Sequence, residues 1–419
     1  MGNNKFKVTT LINNIGQLAT PLGFQAKKGK EIGKLKIIEN ACIAINLDTI
    51  VWVGSCNDLP DIDGNLYEHI DVQGRAVIPG FVDSHTHFVF SGSRVDEFVW
   101  RASGIPYMEI HKRGGGIANS VKATREAPEP ILFELGLKRL NAMLEQGITT
   151  VESKSGYGLD LDTELKQLRV MKSLAEHHPV TIVPTYMGAH SVPKEYTSAS
   201  AYIDYIIANV FPEVKKQGIA KIADIFCEKG VFELEDTKRY LEAARDSGFS
   251  LKLHADEIHE LGGTGLGVEY QALSVDHLLK ASQTDIAKLA GSNTVGTLLP
   301  LTAFVLKEPF APGRAMIDAG CAVALGSDHN PGSCYSQSIP LVIALAVLYM
   351  GLSMEETLTA LTLNGAAACG LADTYGSIEP GKKADFIVLD APDYRYLAYN
   401  TGMNLVHTVY KHGLVVHKR

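Results

Sequence analysis

The sequence predicts an α/β protein, a TIM-like (β/α)8 barrel with a small β-sandwich domain formed by both chain ends. Three observations predict it. Between residues 79 and 375, short apolar runs alternate with amphipathic segments, the rhythm of repeated βα units around a parallel sheet. Both ends of the chain are instead β-rich and broken by polar turns. Polar residues collect where the apolar runs of the middle stop, which is where barrel active sites are built.

At the amino-terminal end, Lys34–Glu39, Ala41–Asn46 and Thr49–Gly54 read as strands. The same texture returns in Ala384–Asp390 and Val406–Lys411. One composite domain, residues 1–78 plus 376–419, leaves fewer exposed sheet edges than two separate caps would. In the middle, 79–375, the candidate strands are Phe81–His85, Thr149–Ser153, Thr181–Tyr186, Ala223–Cys227, Ser250–His254, Ser274–His277, Thr294–Leu298 and Ala322–Gly326. Helical patterns lie between most of them, at Ile131–Glu145, Asp162–His177, Leu234–Asp246 and Ser282–Ala290. A doubly wound open sheet is the alternative, but Gly262-Gly263-Thr264-Gly265 lacks the glycine register of a dinucleotide fold.

The chain has 419 residues, 46% hydrophobic and 21% charged, with a net charge of −8. That balance is ordinary for a globular protein, and the negative charge argues against nucleic acid as a partner. Cys42, Cys56, Cys227, Cys321, Cys334 and Cys369 are scattered, with no C-x-x-C pair. Neither a disulfide framework nor a zinc knuckle is expected, and a reducing cytoplasmic setting fits. Residues Met1 to Phe6 lack the apolar core of a signal peptide, and Phe6 stands where myristoylation needs Ser or Thr. The most apolar run, Ile339–Leu352, is shorter than the roughly 20 residues that span a bilayer, so no membrane partner is expected.

His85-Thr86-His87 follows the turn signal Pro79-Gly80. Residues two apart on a strand share a face, so both imidazoles can meet one metal ion. His190 falls after the third run, His254 and His277 end the fifth and sixth, and Asp328 falls at the end of the eighth. A buried, hydrogen-bonded core histidine would explain any one of these, but that reading has to be invoked separately at four strands. His85, His87, His254 and Asp328 form a three-nitrogen, one-oxygen set suited to zinc or iron. A catalytic ion lowers the pKa of bound water from roughly 15.7 to about 7, and Glu257, His277 and Asp328 are the groups able to exchange its protons. Arg94, in the loop after His87, reads equally as a solvated surface arginine or as a bidentate carboxylate anchor over the site, and Asn330-Pro331-Gly332-Ser333 either brings further polar groups to the same mouth or forms a simple turn.

These residues carry a family resemblance. Pro79 through His87, the strand-end His254, His277 and Asp328, and Glu379 through Asp385 resemble the amidohydrolase superfamily over nearly the whole chain. Glu152-Ser153-Lys154-Ser155-Gly156-Tyr157-Gly158, Gly188-Ala189-His190, Gly114 to Ile117 and Asn330 to Gly332 are similar to the branch that hydrolyses 4-imidazolone-5-propanoate to N-formimidoyl-L-glutamate. The resemblance implies one Zn2+ or Fe3+ ion per subunit on His85, His87, His254 and Asp328. It implies substrate contacts from Arg94, Tyr157, His190, Glu257 and Ser333, with Asn330 and Gly332 at the product's glutamate end, and a homodimer. Lys229, where two-metal relatives place a carboxylated lysine, is read as a non-ligand. His329 departs from the apolar residue expected between Asp328 and Asn330. A nucleobase deaminase on the same scaffold and a non-catalytic scaffold are the alternatives.

Overall fold

Both chain ends share one sheet in the computed structural model, which describes residues 7–62, 68–105, 109 and 115–419. Strands β1 (Thr10–Thr20), β2 (Lys36–Asn46), β3 (Thr49–Ser55), β4 (Glu68–Asp71) and β5 (Ala76–Pro79) come from the amino-terminal end. Strands β14 (Phe386–Leu389), β15 (Val406–Lys411) and β16 (Leu414–Lys418) come from the other, and the order is β16-β15-β14-β5-β1-β2-β3 with β4 on β1. The sheet folds over its own apolar face, because Ile15 of β1, Ile43 of β2, Ile50 of β3, Phe386 of β14 and Tyr410 of β15 share one buried cluster. Lys34–Glu39 and Ala41–Asn46, expected as two strands, belong to the single strand β2. Strand β1 escapes the sequence pattern because a bulge between Ile12 and Ile15, with Asn14 at φ 52°, breaks its alternation.

One expectation is overturned here. Cys42 and Cys56 form a disulfide with Cα atoms 5.0 Å apart. Antiparallel pairing sets Cys42 opposite Gly54, so the hairpin brings back a cysteine 14 positions along the chain. Linear spacing does not encode that proximity. Cys227, Cys321, Cys334 and Cys369 are free and buried.

The second sheet is parallel throughout and has eight strands. They are β6 (Phe81–Asp83), β7 (Ile148–Lys154), β8 (Thr181–Ala189), β9 (Ile222–Cys227), β10 (Ser250–Ala255), β11 (Ser274–His277), β12 (Val295–Leu298) and β13 (Ala322–Leu325). Each coincides with a run expected from sequence. Strands β6 and β13 meet beyond their ends, where Asp328 N donates to His85 O and His87 N to His329 O, each at 2.9 Å. Buried Asp83 reinforces the seam, accepting the Ser327 N–H at 2.9 Å and its hydroxyl at 2.5 Å. The chain passes from β5 to β6 through Gly80, where a Cβ would sit 2.3 Å from Thr149 Oγ1, so only glycine fits.

The expected helices form at Glu129–Glu145, Leu161–His177, Leu234–Asp246 and Gln283–Ala290. Asp160 and Ser282 cap two of them by accepting the N–H groups of Thr163 and Asp285. Among the described residues, the shorter helices α1 (Val95–Ala102) and α2 (Ile117–Glu126) follow β6. The apolar run becomes the buried helix Ile339–Leu348. No helix among the described residues is long and apolar enough to cross a membrane. The expectations placed on Met1 to Phe6 and on Gly114 lie outside the described residues.

Candidate active site

Closure of the barrel between His85 and His329 delivers the first imidazole pair to the rim. His87 Nε2 lies 3.3 Å from His254 Nε2 at the end of β10. Asp328 Oδ1 lies 3.6 Å from His85 Nε2 and 3.8 Å from His87 Nε2. All four side chains are buried. The His85 Nδ1–H donates to Asp276 Oδ2 at 2.6 Å, and the His254 Nδ1–H to Asp224 Oδ1 at 3.0 Å. A carboxylate on Nδ1 fixes the tautomer and leaves the Nε2 lone pair facing the centre.

The residues present fit a metal ion. Buried His85 Nε2 has no hydrogen-bond partner, and the Nε2 atoms of His87 and His254 face each other at 3.3 Å. Bonds of about 2.0–2.2 Å around a tetrahedral ion separate donors by roughly 3.3–3.6 Å, close to the spacings found. Burial holds His85 and His87 well below the ordinary histidine pKa, so both offer lone pairs at neutral pH. Burial also pushes the Asp328 carboxyl up to about 7, against the Thr302 hydroxyl that donates to its Oδ2 at 2.6 Å. A cation beside it reverses that shift.

Beneath the imidazoles sits a fully buried charge network. Lys154 Nζ donates to Glu152 Oε1 and Asp224 Oδ2, each at 2.7 Å, and lies 3.7 Å from Asp276 Oδ2. Lys252 Nζ donates to Ser84 O at 3.0 Å and lies 3.5 Å from Asp276 Oδ2. Burial works against the Lys154 ammonium, yet Asp224, Glu152 and Asp276 together hold it above the ordinary lysine value. Burial likewise opposes the Asp224 carboxylate, and Lys154 and His254 keep it far below the usual range.

Three strand ends around the site adopt left-handed backbone, at Asp256 (φ 49°), His277 (φ 81°) and Asp328 (φ 52°). Such strain in non-glycine residues persists only where the surroundings impose it. The His277 ring centroid lies 5.1 Å from that of His254, and its Nδ1 lies 3.6 Å from Glu257 Oε1. Burial and the neighbouring Asp328 push the Glu257 carboxyl up to about 8. His277 also offers a donor near those of His85 and His254.

The cavity over these groups, about 830 Å³, is lined by His87, His254, Asp328, Arg94, Tyr157, His190, Glu257, His277, Asn330 and Ser333. His190 stacks on His87 with centroids 5.0 Å apart, and Tyr157 meets His190 edge-on at 5.3 Å. Asn330 builds its own turn: Oδ1 accepts the N–H groups of Gly332 and Ser333, and Nδ2 donates to Asp328 O and Ser333 Oγ. The Gly332 carbonyl accepts from Arg101 at 3.3 Å. His329 packs away from the imidazole cluster, its ring 4.9 Å from that of Tyr335. Lys229 is exposed, and its backbone N–H donates to Glu228. A second groove, about 1090 Å³, lies at the opposite end of the barrel beside Lys27, Lys28 and Asn293, and none of the imidazoles line it.

Sequence reasoning missed Asp224, Asp276, Thr302, Glu97, Arg101 and Glu164. For Asp224 and Asp276 a signal was available: a charge inside a buried apolar strand has to be paired. Glu164 accepts the N–H groups of Gly156, Gly158 and Leu159 and so shapes the loop that carries Tyr157. Nothing in its own helical stretch advertises that.

Residues 76–416 match the family described as the amidohydrolase family. The chain is 50% identical over 415 residues to an imidazolonepropionase of Clostridium tetani, covering 99% of each chain. It is 52% identical over 405 residues to one of Parabacteroides distasonis, covering 96% of this chain and 97% of that one. Among solved structures, guanine deaminase of E. coli superposes with a TM-score of 0.71 at 16% identity, covering 98% of this chain and 99% of that one. A zinc complex of atrazine chlorohydrolase from Arthrobacter aurescens TC1 superposes at 0.69 and 18% identity, over 98% and 95%. At these identities the likeness to the two structures shows the fold alone.

Proposed function

Because the chain belongs to the amidohydrolase family, and within it to the imidazolonepropionases, we propose that it hydrolyses the cyclic amide C–N bond of 4-imidazolone-5-propanoate with the residues assembled at the barrel rim. The observation that carries this reading is the convergence of His87 Nε2, His254 Nε2, His85 Nε2 and Asp328 Oδ1 within 3.3–3.8 Å contacts. These four residues would hold one Zn2+ or Fe3+ ion per subunit. When bound, the ion supplies a Lewis acid that polarises the ring carbonyl and makes water nucleophilic at neutral pH.

The chain's own groups do the rest. Asp276 and Asp224 keep His85 and His254 in the ligating tautomer. Asp328 is committed at Oδ2 to the Thr302 hydroxyl, so Glu257 is the freer carboxyl. A carboxyl whose pKa is about 8 exchanges protons efficiently near neutral pH, and we assign it proton delivery to the leaving ring nitrogen. His277, beside Glu257, steadies charge developing on the carbonyl oxygen. Tyr157 and His190 pack the ring, and Arg94, Ser333, Asn330 and Gly332 take the tail and the glutamate end of the product, N-formimidoyl-L-glutamate. The reading also divides the chain into an end domain (1–78 plus 376–419) and a barrel (79–375), and takes the working unit to be a cytoplasmic homodimer acting on a small molecule.

Elemental analysis of the purified protein, before and after chelation, tests the metal assignment. About one zinc or iron per chain supports it. A protein that carries no metal and takes up none would return the chain to the scaffold reading.

A further inference from the structure

We infer that Arg101 supplies the unmatched positive charge that selects a carboxylate-bearing substrate, with Arg94 held beside it by Glu97. The inference rests on the reaction proposed above and names the group that recognises the tail.

Arg94, Glu97 and Arg101 stand three and four residues apart at the start and end of α1, a spacing that puts them on one helical face. All three line the cavity that holds the imidazoles. Arg94 donates from Nε and Nη2 to the two oxygens of Glu97, at 2.9 and 2.5 Å. Glu97 also accepts the Gly116 N–H at 2.7 Å, which ties α1 to the start of α2. This exchange consumes the edge of Arg94 best suited to a bidentate carboxylate, and it matches the Arg94 charge. Among the described residues, Arg101 has no carboxylate of its own: Glu97, already bound to Arg94, is the one whose charge also reaches it. Its Nη2 donates to the Gly332 carbonyl, which leaves other N–H groups of the guanidinium for the cavity.

Gly332 is what lets the two arginines converge. A Cβ there would lie 2.0 Å from Arg94 Nη1, so the loop after β13 can press on Arg94 only without a side chain. The guanidiniums of Arg94 and Arg101 both touch Gly332, from α1. The trio carries one net positive charge, and a propionate carries one negative charge. Seating the carboxylate between Arg101 and the remaining Nη1 edge of Arg94 neutralises the trio.

The test is binding of imidazole-4-propanoate and of its methyl ester to the metal-replete protein by calorimetry. The wild type should prefer the acid. Arg101→Gln should weaken acid binding by about 10- to 100-fold, the loss typical of a charge-assisted hydrogen-bonding group, and leave ester binding unchanged. Arg101→Lys, which keeps the charge, should recover part of the acid preference and serves if Arg101→Gln fails to fold. Equal loss for acid and ester, unchanged acid binding in Arg101→Gln, or a wild type indifferent to the carboxylate would overturn the inference. Turnover is a separate matter: a protein that prefers the acid through Arg101 but leaves imidazolone propionate intact refutes the reaction and not the role of Arg101.

Discussion

Lys154 Nζ lies 2.7 Å from Asp224 Oδ2, inside the barrel and away from solvent, while the other Asp224 oxygen holds His254 Nδ1. One lysine thus compensates the carboxylate that orients a candidate ligand, and it reaches within 3.7 Å of Asp276, which orients His85. Lys154→Met leaves Glu152 and Asp224 buried without their main counter-charge. We predict a loss of about 3–5 kcal/mol in denaturant unfolding and metal affinity weaker by about 10- to 100-fold.

Glu257→Gln should separate proton transfer from metal binding. The carboxyl lies outside the ligand set, so metal content should stay at the wild-type level while kcat falls by about 10²- to 10⁴-fold. His254→Ala should instead lose the metal and activity together. Elemental analysis alongside steady-state kinetics distinguishes the two, and metal loss in Glu257→Gln would make Glu257 a ligand.

Glu164→Gln addresses the loop under Tyr157. The carboxylate accepts from Gly158 and Leu159 at 2.8 and 2.9 Å, and an amide replaces one acceptor with a donor. Stability should fall by about 1–3 kcal/mol, and KM should rise as Tyr157 loses its support. Thermal melts and substrate saturation curves read the two effects.

Lys382 gives a pH signature remote from the site. Burial lowers its pKa from 10.5 to about 8, where its ammonium donates to the carbonyls of Gly23 and Tyr375. A group depressed on folding binds fewer protons when folded, so its contribution grows as pH rises from about 8 to 10.5 and is lost as pH falls through 8. The difference in unfolding free energy between wild type and Lys382→Met should therefore shift toward the wild type across that window. A constant difference would place the folded pKa at its ordinary value.

All eight barrel strands were legible because parallel strands buried on both faces read as short apolar runs. The rim residues were legible because barrel chemistry gathers at strand ends, and His85, His87, His254 and Asp328 do converge. What stayed hidden depends on contacts across the fold. The bulge in β1 erased its period, the hairpin set Cys42 beside Cys56, and Arg94 faces Glu97, which the sequence places beside it without showing that they pair. Asp224 and Asp276 could have been flagged as charges inside apolar strands, but which histidine each would hold is fixed only by the order of strands around the barrel.

The most direct test of the account is turnover of 4-imidazolone-5-propanoate by the metal-replete protein, followed by its ultraviolet loss and by identification of the product. The account predicts conversion to N-formimidoyl-L-glutamate that stops when the metal is chelated. No turnover of this substrate, with ammonia released from a nucleobase such as guanine, would contradict it.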